Sequence, residues 1–133
     1  MKLPIIVIAE ETDILFFQTI KEAQDDLEPI DVEEGIYCAY DANGNRLSIK
    51  ITERKIKTPW WLGGGYSVTS SVVMTESRTV KKDTEVLMRS LKRYFKALSE
   101  EQPEKFPDDG DGLTLEGYIN LARKYSLFSR WSS

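Results

Sequence analysis

The stretch Ile36-Tyr-Cys-Ala-Tyr-Asp-Ala-Asn-Gly-Asn-Arg-Leu-Ser-Ile-Lys-Ile51 decides the fold of this 133-residue chain. Side chains on both sides of the turn at 41–45 alternate with the two-residue period of a β-strand. The pair Asn43-Gly44 supplies the positive φ angles that a tight turn requires. The stretch therefore predicts two antiparallel strands joined by a turn.

The segments before this hairpin predict two strands and a helix. The short apolar runs 5–9 and 14–17 favour buried strands over helices. Thr19 and Glu22 have the spacing of a capping box, in which the threonine hydroxyl accepts from a helical amide and the glutamate reaches back. The helix that follows runs from Ile20 to about Glu28, because the residue before Pro29 avoids helical dihedral angles.

The segments after the hairpin predict one strand and two helices. Residues 66–75 alternate as a strand with one face more apolar than the other. Asp83 or Thr84 caps a helix that runs to about Leu98, and Thr114 caps a last helix that runs to Tyr125. Three apolar side chains in the tail indicate that it packs on the body: Leu127, Phe128 and Trp131.

This order of elements predicts an α+β fold with a mainly antiparallel sheet and about three helices packed on one of its faces. Neither an internal repeat nor a long linker divides the sequence. We therefore expect one domain over residues 1–133, a common domain length.

The composition shifts the expectation toward a protein that works by binding. The chain has no histidine, the commonest metal ligand and general base, and its one cysteine is Cys38. That cysteine cannot form an internal disulfide or a cysteine-rich zinc site, and in mid-strand it is expected to act as a small hydrophobic residue. We expect no catalytic residue, no cofactor and no metal.

The amino-terminal apolar run is interpreted as a strand and not as a signal peptide. It is short, Pro4 interrupts it, and acidic residues follow it directly. No run approaches the ~20 apolar residues that span a bilayer. We therefore expect a cytoplasmic protein without a membrane partner, in which the lone thiol stays reduced.

Charge gives the first set of candidate binding residues. The net charge of −4 disfavours direct nucleic-acid binding, which requires a basic face, and allows attraction to a basic protein. The candidate residues of the first acidic cluster are Asp25, Asp26, Glu28, Asp31, Glu33 and Glu34. A second acidic cluster begins with Glu100, Glu101 and Glu104. Its candidate binding residues are Asp108, Asp109 and Asp111. Each cluster alone is typical of a solvated face, and two of them favour a patch that steers a cationic partner.

Aromatic residues near the glycines at 63–65 give the second set: Trp60, Trp61 and Tyr66. Strand alternation would send the two adjacent tryptophans to opposite faces, so that one of them is exposed. An exposed tryptophan beside flexible glycines is typical of a binding hot spot. The alternative places one tryptophan in the core and the other over a sheet edge.

Motifs with chemical meaning are weak. Asp108-Asp-Gly-Asp-Gly112 lacks the ligand spacing of an EF-hand loop, and a solvated turn is expected there. Gly63-Gly-Gly65 lacks the lysine and the following helix of a phosphate-binding loop. Glu22 with Asp25 or Asp26 has the composition of a hydrolase carboxylate pair, without a recognisable cleft.

Residues 19–44 carry a resemblance. The stretch Leu-Glu-Pro-Ile-Asp-Val (27–32), followed by Gly-x-Tyr-x-x-Tyr-Asp (35–41) and a turn, is similar to immunity proteins of bacterial contact-dependent inhibition and polymorphic toxin systems. The resemblance implies that the chain binds and neutralises one cognate toxin domain. Many such toxins are nucleases with cationic surfaces, which an acidic inhibitor can cover.

The resulting hypothesis is an immunity protein that occludes the active site of a nuclease, steered by the acidic clusters and anchored by the aromatic residues. Two alternatives stay open. One is a non-enzymatic adaptor whose partner is not a toxin. The other is a small carboxylate hydrolase, which would need a deep cleft with an acid of raised pKa.

Overall fold

The computed structural model of the protein describes residues 2–9, 13–76 and 84–128. These residues form one antiparallel sheet, in the strand order β2-β1-β3-β4-β5, and four α-helices. In chain order the elements are β1 (Ile5–Ala9), β2 (Asp13–Phe17), α1 (Ile20–Asp26), α2 (Pro29–Glu33), β3 (Tyr37–Tyr40), β4 (Arg46–Lys57), a 3₁₀ turn (Trp60–Leu62), β5 (Tyr66–Glu76), α3 (Thr84–Glu101) and α4 (Leu115–Lys124). The predicted α+β class is confirmed.

Strand β1 lies between β2 and β3 and is buried on both faces of the sheet. Ile6 and Ile8 belong to a core shared with α3 and α4. Ile5 and Val7 belong to a second core on the other face, shared with α1 and α2. Because successive strand side chains point to opposite faces, a strand covered on both sides needs an unbroken apolar run.

The helices therefore cover both faces of the sheet, and the expectation of helices on one face is wrong. Helices α3 and α4 pack on the first face, where the stacked rings of Phe95 and Tyr118 have centroids 5.5 Å apart. Helix α1 packs on the second face through Ala23, and Leu27 follows it there. The continuous apolar runs in β1 and β2 were the sequence signal for this arrangement.

Pro29 has a role that the sequence analysis did not anticipate. Helix α1 ends at Asp26, with Leu27 as its C-cap, so the predicted stop before the proline is confirmed. Pro29 itself then begins the short helix α2. Proline is favoured at a first helical position because its missing amide donor is not needed there.

The two predicted threonine caps are confirmed, whereas one oxygen of Glu22, the other member of the predicted capping box, has no hydrogen-bond partner among the described residues. The Thr19 hydroxyl accepts a hydrogen bond from the Glu22 amide at 3.2 Å, and the Thr114 hydroxyl accepts from the Gly117 amide at 3.1 Å. In the tail, Phe128 contacts Phe16 with ring centroids 5.6 Å apart, as the apolar tail residues predicted. The other predicted tail anchor, Trp131, and the alternative helix cap Asp83 lie outside the described residues.

The turn of the deciding hairpin is organised by a buried carboxylate. Asp41 is 2% exposed, and one of its oxygens accepts from the amides of Asn43 and Asn45 at 2.9 and 3.0 Å. Its own amide donates to the Asn45 carbonyl at 3.0 Å. Gly44 follows the prediction with a φ of +83°. The hairpin is confirmed, with a longer loop than a two-residue turn.

The loop between α3 and α4 is held against the first core by a glycine. Gly110 is buried, has a φ of +74°, and lies where an added Cβ would be 2.7 Å from Tyr118 Cε1. Gly112 has nearly the same φ, +77°, with no atom within 4 Å of an added Cβ. The two glycines thus share a backbone requirement and differ in the space around them.

We expect Gly110→Ala to destabilise the protein more than Gly112→Ala. Both changes place a side chain in the left-handed region, at about 1–2 kcal/mol. Only Gly110→Ala also forces a methyl group against Tyr118, which adds about 1–3 kcal/mol. Urea unfolding of the two variants measures the difference in their free energies of unfolding. Equal decreases in the two variants would contradict the packing argument.

Candidate functional site

Strands β4 and β5 extend beyond the rest of the sheet as a two-stranded arm. Strand β4 pairs with β3 only at Arg46 and Leu47, whereas it pairs with β5 along its whole length to Lys57. Among the β5 side chains that the structure describes, the core member nearest the tip is Val72. Six residue pairs lie beyond it, from Thr52 opposite Ser71 to Lys57 opposite Tyr66. At the rise of an antiparallel strand the arm extends roughly 20 Å.

The end of the arm exposes four large apolar or aromatic side chains. Their exposed fractions are 87% for Trp60, 67% for Trp61, 62% for Leu62 and 71% for Tyr66. We call residues 59–66 the tip. Isolated exposed hydrophobic side chains are ordinary, whereas a contiguous group marks an interaction surface.

The local backbone explains why both tryptophans are exposed. They lie in a 3₁₀ turn, in which the Leu62 amide donates to the Pro59 carbonyl at 2.9 Å. Strand alternation therefore does not apply, and the expectations that only one tryptophan is exposed and that the other fills the core are both wrong. The glycines at 63–65 all have positive φ, which lets the chain return into β5.

The charge of the arm is opposite to that of the body. Segment 52–71, the six strand pairs with the tip between them, contains one acidic residue, Glu53, against three basic residues, Arg54, Lys55 and Lys57. Its net charge is +2, which leaves −6 for the remainder of a chain whose total is −4. From Arg54 to Thr75 the sequence has no aspartate or glutamate. The predicted aromatic anchors thus lie on a basic projection.

The first acidic cluster forms a separate surface on α1, α2 and the turn after them. Its exposed members are Asp25, Asp26, Glu28, Glu33 and Glu34. Lys21 is the one basic residue in segment 19–35, which holds seven carboxylates. We call this the acidic helical surface. Helix α2 contacts β4 and β5, so this surface lies beside the base of the arm.

Asp31, the remaining member of this cluster, is half-buried and accepts a hydrogen bond from the Tyr37 hydroxyl at 3.2 Å. Burial, and then this bond and the charge of Asp31, raise the pKa of Tyr37 above its ordinary value of 10.0. Asp31 thus ties α2 to β3 and is less available to a partner than its neighbours.

The second acidic cluster lies on the opposite face of the sheet. Asp108 and Asp109 each accept a hydrogen bond from the amide two residues on, at 2.9 and 3.0 Å, and Asp111 is 3.6 Å from the Lys92 ammonium. The loop packs on Tyr118, in the core beneath α3 and α4. It is the exposed turn that the sequence predicted. The two clusters do not combine into a single negative patch.

The carboxylates considered for a hydrolase line an open groove of about 630 Å³ along α1. Its lining residues are Thr19, Lys21, Glu22, Asp25, Asp26 and Glu28. One Glu22 oxygen is buried without a hydrogen-bond partner among the described residues. Within the described ranges no group of three or more potential metal ligands has the geometry to hold an ion.

Cys38 lies half-buried on β3, and its sulfur accepts a hydrogen bond from Arg46 at 3.6 Å. It lines two shallow depressions, one on each side of β3. As the sequence predicted, it packs against the first core with the hydrophobic residues, and the contact with Arg46 adds a polar neighbour. The arginine comes from the neighbouring strand, which residue spacing along the chain did not reveal.

Sequence reasoning missed Leu62 as part of the tip and Lys57 as the basic residue directly behind it. The signal was present, because Pro-Trp-Trp-Leu-Gly-Gly-Gly (59–65) has no charged side chain although 30% of the chain is charged. What was missing was the length of β4, because the predicted hairpin covers residues only to Ile51 and the strand reaches Lys57. That extension carries the tip away from the core.

Comparison with known proteins adds no family to this picture. Neither a family model, nor a curated protein, nor a solved structure matches the chain. In the part of the chain that the structure describes, no helix is long and apolar enough to cross a membrane.

We expect Asp31→Asn to lower the pKa of Tyr37 toward 10.0, because it removes the charged acceptor, while burial keeps part of the upward shift. The raised pKa means that the folded protein holds this proton more strongly than the unfolded chain. The free energy of unfolding therefore decreases as the pH rises above about 10. An ultraviolet titration, with Tyr37→Phe to identify the signal, measures the pKa.

Asp25→Asn is the control for this titration, because it removes an exposed charge of the same cluster that does not contribute to the shifted pKa of Tyr37. A Tyr37 pKa that is equally lowered by both variants, or by neither, would contradict the assigned contact.

Proposed function

We propose that this protein is a cytoplasmic immunity protein that binds and neutralises a cognate toxin domain with a cationic, nuclease-type surface. The observation that carries the proposal is the acidic helical surface, where five exposed carboxylates lie on α1, α2 and the turn after them. The segment that resembles immunity proteins, 19–44, contains this entire surface. Neutralisation follows if the inhibitor covers the surface that the nuclease uses for phosphates.

The electrostatics of the acidic helical surface suit rapid association with such a toxin. Complementary charge raises association rates well above those of neutral partners, and the effect weakens as salt screens it. Helices α1 and α2 pack on the sheet through Ala23 and Val32, so the backbone that carries these exposed carboxylates needs little ordering on binding. Asp31 contributes mainly by holding α2 in place through Tyr37.

The sequence predicts the tip as a second contact of the same toxin, but the charge of the arm opposes that assignment. Trp60 and Trp61 have the exposure of binding anchors, yet the arm behind them is basic and would be repelled by a cationic surface. The acidic helical surface alone is therefore the primary toxin contact in this proposal.

Co-expression tests the function directly. The toxin to use is the carboxy-terminal domain encoded immediately upstream in the same genome, with cell survival and co-purification as the two measurements. Rescue of growth together with a stable complex supports immunity. If the upstream domain is harmless and forms no complex, the adaptor alternative is favoured instead. If that domain is toxic and the protein does not neutralise it, the proposal is contradicted.

We expect the triple variant Asp25→Asn, Asp26→Asn, Glu33→Gln to associate with the toxin roughly tenfold more slowly at low salt, because it removes three of the steering charges. The difference should shrink as salt is added. Stopped-flow measurement of the association rate checks this.

A matched control removes the same number of charges elsewhere. Glu100→Gln, Glu101→Gln and Glu104→Gln change three exposed carboxylates at the end of α3 and just after it. Equal slowing by both triple variants would show that only net charge matters and would remove the acidic helical surface from the interface.

A further inference from the structure

The tip combines three properties that point to a ligand different from a cationic toxin. Its apolar side chains are exposed together, its flanking strands are basic, and it lies at the far end of a projecting arm. We propose that the tip binds reversibly to the surface of an anionic phospholipid bilayer.

The order of side chains along the arm matches the depth profile of a membrane interface. Residues 59–65 come first and have no charged group, with the indole N–H groups as their side-chain hydrogen-bond donors. Lys57 and Tyr66, both exposed, form the strand pair directly behind them. Tryptophan and tyrosine concentrate at the headgroup level, and lysine extends its ammonium toward phosphates.

The backbone of the tip is also suited to partial insertion. Unpaired amides and carbonyls are costly in an apolar medium. The amides of Leu62, Gly63 and Gly64 donate to carbonyls of Pro59 or Trp60 at 2.9–3.2 Å. The Thr58 amide donates to the Gly65 carbonyl at 2.9 Å and closes the base of the turn. Much of the backbone hydrogen bonding is thus satisfied within the turn before any membrane contact.

Charge supports an anionic surface and explains how an acidic protein approaches one. The arm has a net charge of +2 and the remainder of the chain −6. The arm is roughly 20 Å long. The acidic helical surface reaches along it to the Glu53–Ser70 pair, where Glu33 lines a shared depression, which leaves roughly 13 Å to Lys57. This distance exceeds the Debye length of about 8 Å at physiological salt. Repulsion of the body is therefore largely screened when the tip touches the bilayer. Each basic residue near an anionic surface strengthens binding roughly fivefold.

A single-stranded nucleic acid is the rival ligand, since aromatic stacking and basic residues also bind it. Such a site places cations alongside the stacking rings, where the phosphates run. Here the outermost residues, 59–65, have no cationic side chain. The basic residue that most closely precedes the tryptophan rings in the sequence is Lys57. Leu62, which offers no stacking surface, is exposed beside both tryptophans. The arrangement therefore favours a bilayer.

The test is co-sedimentation of the full chain with phosphatidylcholine vesicles, prepared with and without phosphatidylglycerol. We expect binding to the phosphatidylglycerol vesicles that weakens as salt is raised. In a Trp131→Phe background, the emission of Trp60 and Trp61 should shift to shorter wavelength on binding and be quenched by brominated lipid. No binding to anionic vesicles at low salt would overturn the proposal.

Two variants locate the binding to the arm. Trp60→Ser with Trp61→Ser should weaken partitioning by about tenfold or more, through loss of apolar burial. Val86→Ser, at the exposed valine on α3, is its control and should leave partitioning unchanged. Because all three side chains are exposed, thermal unfolding should be nearly unaltered.

The charge variant Arg54→Gln, Lys55→Gln, Lys57→Gln should weaken binding to anionic vesicles roughly hundredfold. Its control, Arg89→Gln, Arg93→Gln, Lys96→Gln, removes three exposed bases from α3 and should have little effect. Equal losses of vesicle affinity in the two triple variants would overturn the proposed role of the arm. Binding of a thymidine oligonucleotide that competes with the vesicles would favour the nucleic-acid alternative instead.

The membrane proposal is independent of the toxin proposal and fails separately from it. If the tryptophan variant loses vesicle binding and still neutralises the toxin, the two surfaces have different ligands, as proposed. If it keeps vesicle binding and loses neutralisation, the tip is a toxin anchor and the membrane proposal is wrong.

Discussion

The burial of β1 on both faces is the constraint on which the rest of the structure depends. Its alternate side chains supply two cores, Ile6 and Ile8 to one and Ile5 and Val7 to the other. An antiparallel sheet usually needs cover on one face only. Here each face requires its own helices. Helices α3 and α4 cover one face, and α1 and α2 cover the other. The two acidic clusters therefore lie on opposite sides of the sheet.

The same constraint explains why the arm is free. The central strands β1 and β3 are short, five and four residues, whereas β4 and β5 have twelve and eleven. Within residues 2–9, 13–76 and 84–128, no strand other than its hairpin partner pairs with this surplus length. Because a two-stranded ribbon is marginal on its own, its stability derives from its base, where Leu47, Val72 and Met74 enter the second core. The Gln24 side chain also accepts from the Met74 amide at 2.8 Å and covers part of the β5 edge.

The result is a molecule with two surfaces of opposite character. The acidic helical surface is polar and held close to the body, while the tip is apolar, flanked by cations and distant from the core. A single ligand that satisfies both would need a basic region and an apolar or anionic one at a matching separation. Two ligands of different chemistry satisfy the charge pattern more simply, which is the basis for treating the toxin and the bilayer as separate proposals.

The sequence by itself determined the features that follow from local periodicity and capping. The hairpin around Asp41, the caps Thr19 and Thr114 and the α+β class were all predicted, because each depends on residues close together in the chain. Likewise, the exposed turn at 108–112 follows from its own side chains.

Only the tertiary structure decided which faces the helices cover and where the candidate residues lie. Helix placement depends on which cores the strands supply, and the exposure of Trp60 and Trp61 depends on the length of β4 relative to β3. The proximity of Asp31 to Tyr37 and the separation of the acidic clusters likewise arise from contacts between elements. Local pattern does not encode those contacts, because burial is a property of the assembled sheet and helices.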